Sequence, residues 1–105
     1  MSVNCEIDCP VETAVAAIGG KWKLVLIYHL ISGAKRYSEL QRLLPNASDR
    51  MLTRSLRELE QDNLVSREIF AQVPVRVEYD LTEDGKALLP ILETMSVWGH
   101  SRLSA

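Results

Sequence analysis

The chain has 105 residues, 47% hydrophobic and 25% charged, which is the size and balance of one globular domain with a small core that an oligomer interface would extend. Its longest apolar run, Leu24 to Tyr28, is far too short to span a bilayer, and MSVNCEIDCP has neither the basic nor the apolar segment of a signal peptide. The expectation is therefore a cytoplasmic protein with no membrane partner. The net charge of −2 conceals an asymmetry: Lys21 to Arg57 carries eight basic and two acidic residues, +6, and the remainder four basic and twelve acidic, −8. A polyanion responds to the face it docks against rather than to the total, so the basic half suits nucleic acid.

Residues 1–9 are polar and read as a tail. Pro10 fits the first position of a helix, where its missing N–H is not needed. Val11, Ala14, Val15 and Ile18 follow on one side, and Gly19-Gly20 reads as a cap and hinge. A second helix is expected from about Lys21 to Ile31, with Trp22, Val25, Leu26, His29 and Leu30 in helical register. Apolar residues on nearly every face make it the most buried one. Ser32-Gly33 ends it. Ala34 to Tyr37 is a short extended connection, and Ser38 to Leu44 a brief helix stopped by Pro45.

Pro45-Asn46-Ala47-Ser48 is a tight turn that delivers the N-cap of the next helix, SDRMLTRSLRELEQ, from Ser48 to Gln61. Met51, Leu52, Leu56 and Leu59 make an apolar stripe along it. Arg50, Arg54 and Arg57, spaced i, i+4, i+7 with Thr53 between, occupy another face. Taken alone, that helix is equally a DNA reader or a charged solvated surface. Two helices joined by so short a turn form a helix-turn-helix, which favours the first reading. Leu64 to Phe70 and Val75 to Leu81 then read as two strands, the second alternating Val75, Val77, Tyr79 and Leu81 with Arg76, Glu78 and Asp80. The link Ala71-Gln72-Val73-Pro74 makes them a hairpin. Thr82 caps a last helix, which Pro90 should kink or split. Leu88, Leu89, Ile91, Leu92, Met95 and Trp98 make it more apolar than a monomer's outer helix should be.

The order helix, helix, short strand, helix, recognition helix, hairpin, helix is a mainly α winged helix-turn-helix with a small β-hairpin wing. The expected layout is one domain over 1–105: tail 1–9, helix-turn-helix 38–61, wing hairpin 64–81 and C-terminal helix 83–105. The stretches CPVETAVAAIGGKWKLVLIYHL, RYSEL, LTRSLRELEQDNLV, PVRVEYDLTEDG and LLPIL with a later Trp resemble the HxlR family of bacterial, MarR-like transcriptional regulators. They cover Cys9 to Trp98 in order. Asn63 stands where the family usually has glycine, and asparagine also tolerates a left-handed turn. Ala47 replaces a larger apolar residue.

The resemblance implies a homodimer built by the first and last helices, with each recognition helix in a major groove of a pseudo-palindromic double-stranded operator. The DNA-facing residues are then Arg50, Thr53, Arg54 and Arg57, each arginine reading guanine or gripping phosphate. Ser48 and the helix N-terminus are candidates for a phosphate, Arg36 for the backbone, and Arg76 for a phosphate or the minor groove from the wing. Lys21 and Lys23 are either phosphate contacts or ordinary solvated charges. Cys9 precedes Pro10 at a helix mouth, where amides stabilise a thiolate while Glu6, Asp8 and Glu12 oppose it. Its position matches the cysteine with which some family members sense oxidants or quinones; the alternative is a structural Cys9 in a regulator controlled by a small ligand or protein partner. Cys5 reads as a resolving partner or an incidental tail residue.

C-x3-C with His29 and His100 has no metal-ligand spacing, and no catalytic constellation or cofactor motif is present, so neither an enzyme nor a metalloprotein is expected. A winged helix used only for protein contacts would not need three arginines on its recognition face. His29, Trp22, Tyr28 and Trp98 read as core or dimer anchors.

Overall fold

A computed structural model describes residues 9–104. Six helices and three strands follow in order: α1 Pro10–Ile18, α2 Lys23–Leu30, β1 Lys35–Arg36, α3 Tyr37–Leu43, α4 Asp49–Gln61, β2 Val65–Phe70, β3 Arg76–Leu81, α5 Glu83–Lys86 and α6 Leu89–Leu103. The sheet is antiparallel in the order β1-β3-β2. The fold is the expected winged helix-turn-helix, with the two-residue β1 joining the hairpin as a third strand.

The core gathers around α2 and α4. Leu26, Ile27 and Leu30 of α2 meet Leu52, Leu56 and Leu59 of α4, closed by Leu40, Leu44, Leu64, Val65, Leu81 and Leu92. These aliphatic side chains come from six different elements, so burying them fixes the elements relative to one another. α2 begins at Lys23, two residues later than expected, because the chain is still turning at Gly20 (φ 97°) and Trp22 occupies the cap position. A Cβ on Gly19 would overlap the carbonyl oxygen of Val15. Gly19 therefore lets the chain leave α1 directly over its last turn.

The end of α4 shows why Asn63 serves in place of glycine. Asn63 is left-handed (φ 59°), its N–H reaches Glu60 O at 3.0 Å, and Leu64 N–H reaches Leu59 O at 2.9 Å. These are the paired bonds of a Schellman cap, with Leu59 and Leu64 both in the core. Thr82 then ties the wing to this cap: its hydroxyl donates to Asn63 O at 2.6 Å and accepts from Gly85 N at 3.1 Å. Pro90 falls in the first turn of α6 and separates it from α5, so the expected C-terminal helix is split.

Three sequence expectations are corrected. Met51 is exposed rather than part of the buried stripe; Ser55 takes that place, since a helix buries residues i, i+3, i+4 and i+7 and Met51 lies to the side of Leu52, Ser55, Leu56 and Leu59. Val75, at the wing tip, is exposed, and only Leu81 of the β3 alternation is fully buried. Lys23 is buried rather than solvated. Among the described residues, no helix is long and apolar enough to cross a membrane.

Candidate nucleic-acid interface

α4 is a rod about 20 Å long whose two sides differ completely. Leu52, Ser55, Leu56 and Leu59 are buried, and Arg50, Thr53, Arg54 and Arg57 are exposed. The buried side fixes the rotation of the helix, so the exposed side is presented in one orientation. Among the described residues neither Arg50 nor Arg57 has an ion-pair partner, which leaves both guanidinium forks open to an anion. Arg54 is only loosely engaged, 3.8 Å from Glu58 across one turn. Ser48 caps the helix as expected, its Oγ accepting from Met51 N at 3.2 Å; the hydroxyl proton remains available to a phosphate beside the helix N-terminus.

A second set of contacts locks α3 against the start of α4. The Tyr37 hydroxyl lies 3.0 Å from Asp49 Oδ1, 3.4 Å from Asp49 O and 3.3 Å from Thr53 Oγ1. Gln41 Nε2 donates to the same Asp49 Oδ1. Burial, against the opposing bond from Thr53 and with the aid of Asp49, holds the Tyr37 hydroxyl above its ordinary 10.0, so it stays protonated and able to donate. Asp49 is thus more than a favourable charge at the helix dipole. It is the acceptor that joins the two helices of the motif.

Lys23 has a comparable role beneath the helix. Its Nζ lies 3.4 Å from Glu58 Oε1, and only 11% of its side chain is exposed. The sequence held the signal, since Lys23, Leu26, Ile27 and Leu30 share the i, i+3, i+4, i+7 face of α2. A shallow groove lined by Gly19, Gly20, Trp22, Arg54 and Glu58 runs along this junction. It brings the α1–α2 hinge against α4. Lys21 remains exposed, with its Nζ 5.0 Å from the centre of the Trp22 ring.

The two outlying arginines differ. Arg36 is exposed immediately before α3, and its backbone N–H is satisfied by Glu39 Oε1 at 3.1 Å. Arg76 is tied down: its guanidinium stacks 4.0 Å above Phe70, and Nε lies 3.1 Å from Glu78 Oε2 without hydrogen-bond alignment. Register explains both contacts. Phe70 is directly opposite Arg76, and Glu78, two residues on, shares its face of β3. In this arrangement Arg76 stiffens the wing.

Cys9 is the N-cap residue of α1, 2% exposed, with its carbonyl accepting from Thr13 N at 3.0 Å. It is disulfide-bonded in this structure rather than a thiol. Cys5 lies outside the described residues. His29 is partly buried; burial first, and the charge of Lys35 second, lower its pKa below 6.5. Among the described residues no group of three or more His, Cys, Asp or Glu is placed to hold a metal.

The model of the family described as HxlR-like helix-turn-helix matches residues 17–105. The chain belongs to that family. It is 54% identical over 92 residues to the HTH-type transcriptional regulator YdeP of Bacillus subtilis (strain 168), covering 88% of this chain and 72% of YdeP. It is 52% identical over 94 residues to an HTH-type transcriptional regulator of Methanothermobacter thermautotrophicus, covering 90% and 72%. The kinship thus reaches an archaeon and is wider than the bacterial setting expected from the sequence. Among solved structures, the redox regulator HypR in its oxidised form superposes with a TM-score of 0.85 at 54% identity, covering 89% of this chain and 96% of that one. Its reduced form gives 0.84 at 53% identity, covering 88% and 91%. The protein is a transcriptional regulator of the HxlR type.

The Lys23–Glu58 pair makes the HxlR-type core asymmetric to mutation. Glu58→Ala strands a buried ammonium and should lower stability by about 2 kcal/mol, allowing for the partial exposure of Glu58. Lys23→Met keeps the apolar stem and should lower it by less than about 1 kcal/mol. Urea unfolding of the two variants checks this, and equal losses would contradict it.

Proposed function

We propose that the protein is a homodimeric, sequence-specific DNA-binding regulator that places α4 of each subunit in a major groove of a pseudo-palindromic operator. The observation that carries this reading is the division of α4 between a buried aliphatic side and an exposed side bearing Arg50, Thr53, Arg54 and Arg57. Guanidinium groups grip guanine bidentately or hold phosphate, and the threonine hydroxyl bonds to base edges. Ser48 and Arg36, on either side of α3, contact the phosphate backbone. Arg76 contributes by holding the wing rigid.

Dimerisation through α1 and α6 is supported by what these helices leave uncovered. No residue of α1 is buried, and Val11 and Val15 are exposed. On α6 only Leu92 is buried, while Ile91, Met95, Val97 and Trp98 are exposed, Trp98 at 64%. Helices so apolar and so open are those a second subunit would cover. Reading a pseudo-palindrome requires the two α4 helices to stand about 34–36 Å apart, one turn of DNA. In this arrangement the protein works in the cytoplasm on double-stranded DNA.

Cys9 is the redox-responsive residue of this reading, supported by its disulfide, its place at the mouth of α1 and the similarity to HypR. Forming a disulfide from two thiols releases two electrons and two protons to an oxidant such as a quinone or diamide. In a buried site beside the dimer-forming helix, that change alters the separation of the two α4 helices. A hundredfold loss of operator affinity needs only about 2.7 kcal/mol of difference between the two arrangements.

Arg57→Ala is expected to weaken operator binding in a salt-titrated gel shift. If Arg57 holds only phosphate, the slope of log affinity against log salt falls by about one; binding identical to wild type would remove this face from the account. Cys9→Ser is expected to stay on operator DNA under diamide that releases the wild type. Equal release of both proteins would show that Cys9 is not the sensor.

A further inference from the structure

The hydrogen bonds at the start of α4 leave the protons little choice. A phenol has one proton to give. Of the oxygens around the Tyr37 hydroxyl, Asp49 Oδ1 at 3.0 Å is the nearest, and Asp49 O at 3.4 Å is likewise an acceptor only. A hydrogen bond to a carboxylate is charge-assisted and about twice as strong as one between neutral groups, so the Tyr37 proton goes to Asp49. The carboxylate is fixed there by Gln41, which donates to the same oxygen. The remaining contact, 3.3 Å between Tyr37 Oη and Thr53 Oγ1, then needs a proton from the threonine. Thr53 is exposed on the arginine face of α4, and this contact commits its hydroxyl proton inward. What Oγ1 retains toward solvent is lone pairs.

We propose that Tyr37 is a specificity-determining positioning residue: through Asp49 it turns the Thr53 hydroxyl into a hydrogen-bond acceptor that selects base amino groups in the major groove. A free threonine hydroxyl is ambiguous, because it rotates to donate or accept and serves any base. Fixed as an acceptor, it favours adenine N6 or cytosine N4, which donate. It disfavours thymine O4 and guanine O6, which accept and would face it without a proton between them. The inference rests on α4 being the base-reading helix and adds a rule for one position of each half-site.

The test is selection of preferred sites from a randomised duplex pool by the full-length wild type, Tyr37→Phe, Thr53→Val and the double variant. Affinities are then measured on duplexes differing at single positions. The position read by Thr53 is the one whose preference changes in Thr53→Val. There the wild type is expected to favour adenine or cytosine over thymine or guanine by roughly tenfold. Tyr37→Phe frees the threonine proton, and the preference should shrink to within threefold at that position alone. In the double variant Tyr37→Phe should add nothing to Thr53→Val. A merely structural Tyr37 would weaken binding to all duplexes alike and leave the preference intact, which overturns the proposal. A wild-type preference for thymine or guanine there also overturns it.

If Tyr37→Phe folds poorly, Tyr37→Met, which fills the site without a hydroxyl, gives the same test. It leaves Thr53 no phenol oxygen to donate to, and an intact preference in that variant counts against the proposal equally. If Thr53→Val changes no position, Thr53 is not a base reader and the proposal fails, whatever happens to the arginines. The salt-titrated binding of Arg57→Ala reports separately on whether α4 faces DNA at all.

Discussion

Everything in this small domain depends on α4 satisfying two demands at once. Leu52, Leu56 and Leu59 must be buried for the core to close, and the turns that carry Arg50, Arg54 and Arg57 must stay outside. A helix gives each residue a fixed angular place, so the core that buries the leucines also aims the arginines. The supporting bonds act on the same rod. Ser48 and Asn63 close its ends, the Tyr37–Asp49–Gln41 contacts fix its start against α3, and Lys23 grips Glu58 from α2. The proposed regulation would exploit that stiffness, since a rigidly mounted helix can be moved as a unit by whatever moves the dimer.

Charge is distributed on the same plan. The basic half of the chain includes Lys23, which the fold spends on Glu58, so part of the apparent excess never reaches the surface. The wing follows suit, with Arg67 paired to Glu60 and Arg76 to Glu78. Among the described residues, the arginines without an ion-pair partner are Arg36, Arg42, Arg50, Arg57 and Arg102, and all but Arg102 fall in the segment that runs from just before α3 through α4. Unpaired positive charge gathered on the helix-turn-helix segment of a chain that is acidic overall is the distribution the proposed DNA binding requires.

Much of this was legible in the sequence because it is governed by short-range rules. Pro10 opening α1, Ser48 capping α4, Asn63 in a left-handed turn and Pro90 dividing the C-terminal helices are consequences of backbone chemistry within a few residues. The face of α4 was legible for the same reason, apart from Met51 and Ser55, whose burial depends on a few tens of degrees around the helix. The Tyr37–Asp49–Thr53 contacts were not legible, because they form between side chains on two helices whose crossing the local pattern does not define. The stack of Arg76 on Phe70 was not legible from its position at the hairpin either, since only the strand register places Phe70 opposite it. Lys23 stood in the apolar register of α2 and could have been found there.

The central claim is that the exposed side of α4, rather than the wing, meets the bases. The most direct test is to follow the side-chain Nε–H resonances of the arginines by NMR while operator duplex is added. The account predicts that Arg50, Arg54 and Arg57 shift or broaden at substoichiometric DNA, with Arg76 changing little in its stack on Phe70. A titration in which Arg76 responds most, with the three α4 arginines unmoved, would contradict it.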